Sequence, residues 1–199
     1  MKALLKAAAR GLATIIVAPE LASYFVRSVF IGRNRALEGS SQMLSLIPGL
    51  PGQYLRRAFL ACVVDRCAPT AVIGFGVLFS QAGCRIEENV YIGPGCHLGL
   101  VHLERDVLLA AGVHVPSGAH THGTDPSAPI RDQEGRPRLV RIGAGAWIGS
   151  NAVVLADVGR ETIVGAGAVV TRPLPDSVIA AGVPARVVRR RDESGSVPV

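Results

Sequence analysis

From Ala68 onward, aliphatic residues recur every six positions, and this period constrains the fold more than any other feature of the chain. The blocks read Ile73-GFGVL, Ile86-EENVY, Ile92-GPGCH, Leu103-ERDVL, Leu109-AAGVH and Val115-PSGAH. After an interruption come Ile142-GAGAW, Ile148-GSNAV, Val158-GRETI and Val164-GAGAV. The fifth place of each block is small or β-branched: Val77, Val90, Cys96, Val107, Val113, Ala119, Ala146, Ala152, Thr162 and Ala168. A hexad of this kind encodes one short strand and a turn. The aliphatic residue points into a core, the small fifth residue fills the corner, and Gly or a polar residue makes the bend. Three hexads form one triangular coil, and stacked coils pair as parallel strands about 4.8 Å apart. One coil cannot bury its own core, so many must stack. The register slips at 79–86, 98–103 and 154–158.

Composition agrees with a narrow, repetitive interior. Of 199 residues, 49% are apolar but only 5% aromatic, and 23 are Gly. The net charge of +6 suits an anionic partner. No helix-turn-helix, zinc-finger or RNA-platform motif accompanies it, so a phosphorylated cofactor or anionic lipid is expected rather than nucleic acid. Cys62, Cys67, Cys84 and Cys96 lack the spacing of a paired framework and read as small buried thiols in a reducing compartment. No stretch reads as long and apolar enough to span a bilayer. Residues 11–18, GLATIIVA, follow Lys2, Lys6 and Arg10 like the first half of a signal peptide. The run is short and lacks a cleavage site, so the chain reads as starting at Met1.

Residues 1–66 form a separate helical and linker segment. Over 2–16, Leu4, Leu5, Ala8, Leu12, Ile15 and Ile16 share one helical face, with Lys2, Lys6 and Arg10 in a stripe beside it. Two readings stay open: a helix packed on its own β domain or a sister subunit, or an interfacial helix on anionic lipid. SLIPGLPGQYLRR (Ser45 to Arg57) carries strong turn signals at Pro48-Gly49 and Pro51-Gly52, and Gln53 to Arg66 again suits a helix.

The repeat breaks after Val115-PSGAH. The stretch 121–141 is polar, proline-bearing and non-repetitive, as expected of a loop expelled to serve a site. His120 and His122 stand at its base. His97 and His114 occupy the last place of their hexads, where side chains face out, and His102 lies in a register slip.

Residues 68 to 190 resemble the hexapeptide-repeat acyltransferase family. VLLAAGVHVPSGAH, WIGSNAVV, VGAGAVVTR and AAGVPARVVR are similar to segments of galactoside and maltose O-acetyltransferases. SLIPGLPGQYLRR resembles a segment of acetyltransferases of exopolysaccharide and capsule biosynthesis. The resemblance implies an all-β, left-handed parallel β-helix over 67–190, with an N-terminal helical segment, a protruding active-site loop at 121–141 and a flexible tail at 191–199. It implies CoA-dependent acyl transfer, most simply O-acetylation of a sugar or polysaccharide precursor from acetyl-CoA, with no metal and no covalent intermediate. A histidine would act as general base, since its ordinary pKa lies near neutrality. The galactoside pattern puts that histidine at His120; the exopolysaccharide pattern puts it at His122; both stay open.

For the cofactor, Gly149, Ser150, Ala166 and Gly167 match the positions whose backbone meets the pantetheine arm. Trp147 matches an aromatic beside it, and Thr171, Arg172, Arg186 and Arg189 match the adenine and phosphate end. Arg190 and Arg191 read as a solvated charge run. The acceptor-binding asparagine of galactoside enzymes has no counterpart around Ile92-Gly93. The family further implies a cytoplasmic homotrimer, here with peripheral contact at the inner membrane face through the N-terminal helix. Two alternatives remain on the same fold. One is a non-catalytic scaffold. The other is a carbonic-anhydrase-like zinc enzyme, for which the short gap between His97 and His102 is suggestive.

Overall fold

The computed structural model describes residues 2–192, with residues 2–5 described by backbone alone. Most of the expected flexible tail, 193–199, lies outside the described residues, as does the side-chain packing of Leu4 and Leu5.

The hexads form a parallel β-solenoid of about six coils, preceded by three helices. Each coil visits three sheets in turn, and its inward residues stack on those of the next coil. In the second coil these are Ile86, Ile92 and Leu98; in the third Leu103, Leu109 and Val115; in the fourth Ile142, Ile148 and Val154. All are buried, as are the small fifth residues, with Thr162 donating its hydroxyl to the Pro175 carbonyl at 2.7 Å. Ala119 is the exception. It is exposed, because the chain leaves the coil before that place is reached.

Two of the three corners are regular. The corner between the first and second sheets turns through left-handed residues at Asn89, Asp106, Gly145, Glu161 and Ser177. The corner between the second and third does so at Gly76, Gly95, Gly112, Asn151 and Gly167. Each corner has φ > 0 at one place in at least five coils, and Gly, Asn or Asp holds most of those places. Every register slip falls at the remaining corner, from third sheet to first. There the step between inward residues is seven from Phe79 to Ile86, five from Leu98 to Leu103, and four from Val154 to Val158. A coil tolerates insertion or deletion at one corner because the hydrogen-bonded register of the three sheets is then untouched.

A solenoid has open edges at both ends, and both are covered. At the far end, a closing strand, Arg186–Arg190, pairs antiparallel with Val178–Ala181. At the near end sit helices α1 (Lys2–Ile31), α2 (Arg33–Ser45) and α3 (Gly49–Val63). Helix α3 begins at Gly49, earlier than the sequence signals place it, because Pro51 falls in its first turn, where a missing N–H costs nothing. Leu37, Leu44, Phe59 and Leu60 seal the first coil. Polar contacts fix the seal: Phe79 N–H donates to Ser41 Oγ at 2.8 Å and Ala82 N–H to Asn34 Oδ1 at 3.0 Å. The Arg56 guanidinium is buried and donates to three carbonyls, those of Ile73 (3.1 Å), Leu44 (3.0 Å) and Ile47 (2.7 Å).

Helix α1 departs most from expectation. It runs on to Ile31, and over Lys6–Ile31 it is long and apolar enough to cross a membrane by length and composition, contrary to the reading of the sequence. Its packed face carries the smaller set Ala13, Val17 and Tyr24, while Leu12, Ile15, Ile16, Val26, Val29 and Phe30 point to solvent. The face of Leu12, Ile15 and Ile16, left open between protein and lipid as its partner, therefore does not pack on this chain's own β domain.

Cys84 and Cys96 are buried as expected and donate to the Gly99 and Ala110 carbonyls, at 2.9 and 3.1 Å. Burial pushes their thiols up to about 12 and about 11. Cys62 is exposed, unlike the expected buried thiol.

Candidate active site

The chain leaves the third coil at Ser117 (φ +69°) and Gly118 (φ +92°) and re-enters the solenoid, as the fourth coil, at Val140–Ile142. The excursion between is zipped along its length. Arg138 N–H donates to the Ser117 carbonyl at 2.7 Å and Arg136 N–H to the His120 carbonyl at 2.6 Å. Nearer the tip, the Gln133 amide donates to the carbonyls of Asp125 and Ala128, both at 2.7 Å, and accepts from Asp125 N–H. Its base is anchored on the solenoid. Leu100 N–H donates to Ser117 Oγ at 2.8 Å, and Arg138 meets Asp157 at 2.9 Å. His120 and His122 are exposed on this excursion, and among the described residues their rings make no hydrogen bond. The sequence gap of 121–141 thus becomes an ordered hairpin presenting two histidines, with the His120 backbone held.

Below it, Glu104 staples the two coils that the excursion separates. It is buried, pairs with Arg141, accepts Ala144 N–H at 2.9 Å and faces Arg160 at 3.6 Å. Burial alone would raise its pKa. The Ala144 N–H, Arg141 and Arg160 outweigh burial and hold the carboxyl below its ordinary value of 4.5. A depressed folded pKa means stability that is complete above the unfolded value and lost as pH falls through the folded one. Glu104→Gln is therefore expected to melt below the wild type at neutral pH. The gap in Tm should narrow as pH falls below the ordinary value of 4.5, and a constant gap would exclude this contribution.

The nine residues matched to the cofactor all lie on the fourth to sixth coils and the closing strand. Trp147 projects from the second sheet, half exposed, in register with Leu108 and Ile163. Gly149 and Ser150 occupy the corner after it. A side chain at Gly149 would meet the Ala166 nitrogen at 2.5 Å, so only Gly permits the approach of the next coil. Gly167 N–H donates to the Ser150 carbonyl at 2.8 Å, placing Ala166 and Gly167 directly above. Thr171 and Arg172 are exposed at the third-to-first corner. Arg186 and Arg189 lie on the closing strand opposite Ala181 and Ile179. Arg191 is not simply solvated: its guanidinium reaches the Glu161 carboxylate at 2.7 Å and the Glu161 carbonyl at 2.7 Å. Arg190 faces Asp192 at 3.4 Å. Among the described residues, no hydrogen bond or ion pair joins the histidines of the excursion to the nine.

Sequence reasoning underrated one pair. His97 and His114 stand in register on the third sheet, ring centroids 5.8 Å apart, edge to face. With Glu38 and Gln42 of α2, Ser80 and Pro116, they line a pocket beside the point where the excursion departs. Burial, helped by His97, lowers the His114 pKa. The signal was their common sixth place in stacked hexads, two coils not yet known to be neighbours. His102 instead lies on the first sheet and bonds Glu87 at 2.8 Å, so His97 and His102 do not share a site.

Stacked hexapeptide coils with one histidine-bearing excursion define a class of β-solenoid. A family described as "Hexapeptide repeat of succinyl-transferase" matches residues 83–116 and 139–172. The galactoside O-acetyltransferase of Escherichia coli (strain K12) is 46% identical over 163 residues, covering 71% of this chain and 80% of that protein. A protein named for O-acetyl transfer in lipopolysaccharide biosynthesis, WbbJ of the same strain, is 29% identical over 127 residues, covering 59% of this chain. The chain spans 62% of the length of WbbJ, and 56% of that of the Lactococcus lactis galactoside O-acetyltransferase. The crystal structure of a maltose O-acetyltransferase from Clostridium difficile 630 superposes with a TM-score of 0.68 at 19% identity, covering 80% of this chain and 89% of that one, and shows the shared fold. The chain belongs to the hexapeptide-repeat acetyltransferase family.

Proposed function

We propose that this protein transfers an acetyl group from acetyl-CoA to a hydroxyl of a sugar or polysaccharide precursor. The observation that carries this reading is the ordered excursion, which presents His120 and His122 where the solenoid opens. A histidine there takes the proton of the acceptor hydroxyl as its oxygen attacks the thioester carbonyl. The C–S bond then breaks, the departing sulfur takes that proton back from the histidine, and CoA leaves as the thiol. A thioester is already activated, so positioning two substrates together supplies much of the rate. Galactoside O-acetyltransferases among the relatives, and WbbJ with its lipopolysaccharide name, favour a sugar acceptor. CoA binding is favoured by the Trp147, Gly149–Ser150 and Ala166–Gly167 arrangement, with Thr171, Arg172, Arg186 and Arg189 toward the phosphates. Guanidinium suits that end, being a permanent, forked donor.

The active unit of this reading is a homotrimer. Its support is the outer face of the second sheet, where Tyr91, Leu108 and Trp147 stack in register with 42%, 42% and 48% of each residue exposed. A cyclic neighbour would cover that column and bring a histidine excursion against another subunit's cofactor residues. Acetyl-CoA being a cytoplasmic metabolite, the enzyme works there, with the bare face of α1 against the inner membrane surface.

The test is CoA-thiol release from acetyl-CoA across a panel of sugar acceptors, with the mass in solution measured alongside. Release with at least one sugar and a trimeric mass are expected. A fully active monomer would remove the trimer. A protein that neither binds CoA nor releases thiol would be a scaffold.

A further inference from the structure

Lysine and arginine on a helix normally lead outward to water, keeping their charged ends solvated. On α1, Lys6 is exposed and Arg10 half-buried, yet both lean toward α3 rather than away from it. Lys6 and Arg10 lie on the side of the helix that packs against the protein, opposite the bare apolar face. There they line one pocket of about 240 Å³ with Arg57 and Tyr54 of α3 and Thr70 of the first coil. Arg57 is 92% buried, at 8% relative exposure, and among the described residues no hydrogen bond or ion pair satisfies it. No carboxylate lines the pocket. The acidic residues of the adjoining coils face elsewhere: Asp65 toward Arg85, Glu88 toward Arg66 and Glu87 toward His102.

The charge is therefore uncompensated. Burial lowers the Arg57 pKa, and the neighbouring Arg10 cation lowers it further. Cys67 beside it supplies no countercharge, since burial pushes its thiol up to about 12. Three cations converging on one water-accessible pocket repel one another, and an anion relieves the repulsion and replaces water as the acceptor for their N–H groups. Neutral donors complete the cradle. Thr70 Oγ1 accepts Asn89 N–H at 2.8 Å, leaving its own O–H to donate. The Tyr54 hydroxyl adds a second neutral donor. A single carboxylate would leave one cation unpaired, whereas a phosphate carries more charge and more acceptor oxygens.

We infer that Lys6, Arg10 and Arg57 form a binding site for a phosphate group, in the first coil and away from the residues matched to CoA. The same chemistry is offered by a soluble phosphate ester or by the headgroup of an anionic phospholipid.

The full-length protein is titrated with inorganic phosphate at fixed ionic strength, and separately with phosphatidylglycerol and phosphatidylcholine vesicles. Wild type and the double variant Lys6→Gln/Arg10→Gln are compared, with Arg57→Lys retaining the buried charge. Phosphate is expected to bind wild type and raise its Tm, with affinity at least ten-fold weaker in the double variant and largely kept in Arg57→Lys. Without phosphate the double variant should melt at or above the wild-type temperature, because repulsion is relieved; a purely structural role would lower it. Loss of preferential phosphatidylglycerol binding in the double variant assigns the site to lipid, whereas unchanged vesicle binding with lost phosphate binding assigns it to a soluble ester. The inference is overturned if wild type binds neither inorganic phosphate nor phosphatidylglycerol over phosphatidylcholine, or if the double variant binds both as wild type does. CoA binding is unaffected in either case, so failure here leaves the acetyltransferase reading standing.

Discussion

His120→Ala is expected to lower turnover by roughly a hundred- to ten-thousand-fold while leaving CoA affinity within a few-fold. The expectation rests on geometry. His120 sits at the mouth of the excursion, and Arg136 N–H, donating to its carbonyl at 2.6 Å, ties its backbone to the returning limb of the excursion. Its ring is exposed, leaving both nitrogens for substrate. His122, two residues on, is exposed as well, but no backbone hydrogen bond to the returning strand holds it. His122→Ala should therefore have a smaller effect, through placement of the excursion. A reversed order of the two variants would transfer the role to His122. If both variants retain turnover within a few-fold, general-base catalysis at this excursion is wrong, whatever the fold.

The second large effect is expected at a residue far from chemistry. Arg56→Met should cost about 2–4 kcal/mol of folding stability. Three carbonyls would lose a charged donor: Ile73 in the first coil, and Leu44 and Ile47 where α2 gives way to α3. Against this stands the cost of burying the guanidinium, which also lowers its pKa. One Arg56 nitrogen, Nη2, is buried without a partner, which further reduces the clamp's worth. Three satisfied N–H groups against the two of Nη2 still favour the wild type. In a chain of this length the loss corresponds to a Tm lower by roughly 5–15 °C. Urea unfolding with an unchanged m-value would check it; equal stability of Arg56→Met and wild type would show that helix burial alone caps the solenoid.

Much of this architecture can be read from the residue order because a solenoid is quasi-one-dimensional. Each coil contacts only its neighbours, so a local period carries the global fold. The inward places, the small corner residues and the break beside His120 are all properties of spacing. The slips were visible too, but their confinement to one corner was not, since spacing does not say which corner a residue turns. The same limit hid the His97–His114 pair, which is local only once coils two and three are stacked.

Helix α1 shows where periodicity misleads. The apolar stripe of Leu12, Ile15 and Ile16 is real, but a helical period cannot say whether a stripe meets protein or remains bare. Packing chose the opposite face, because Ala13, Val17 and Tyr24 fit closely against α2 and α3. Lys6 and Arg10 were thereby turned onto Arg57, a residue more than forty positions away. What the sequence by itself determined is the repeat: the six-residue step, its core and the interruption. What only the tertiary structure decided is every relation between residues that no period connects, because such contacts arise from how finished elements pack and leave no recurring mark in the chain.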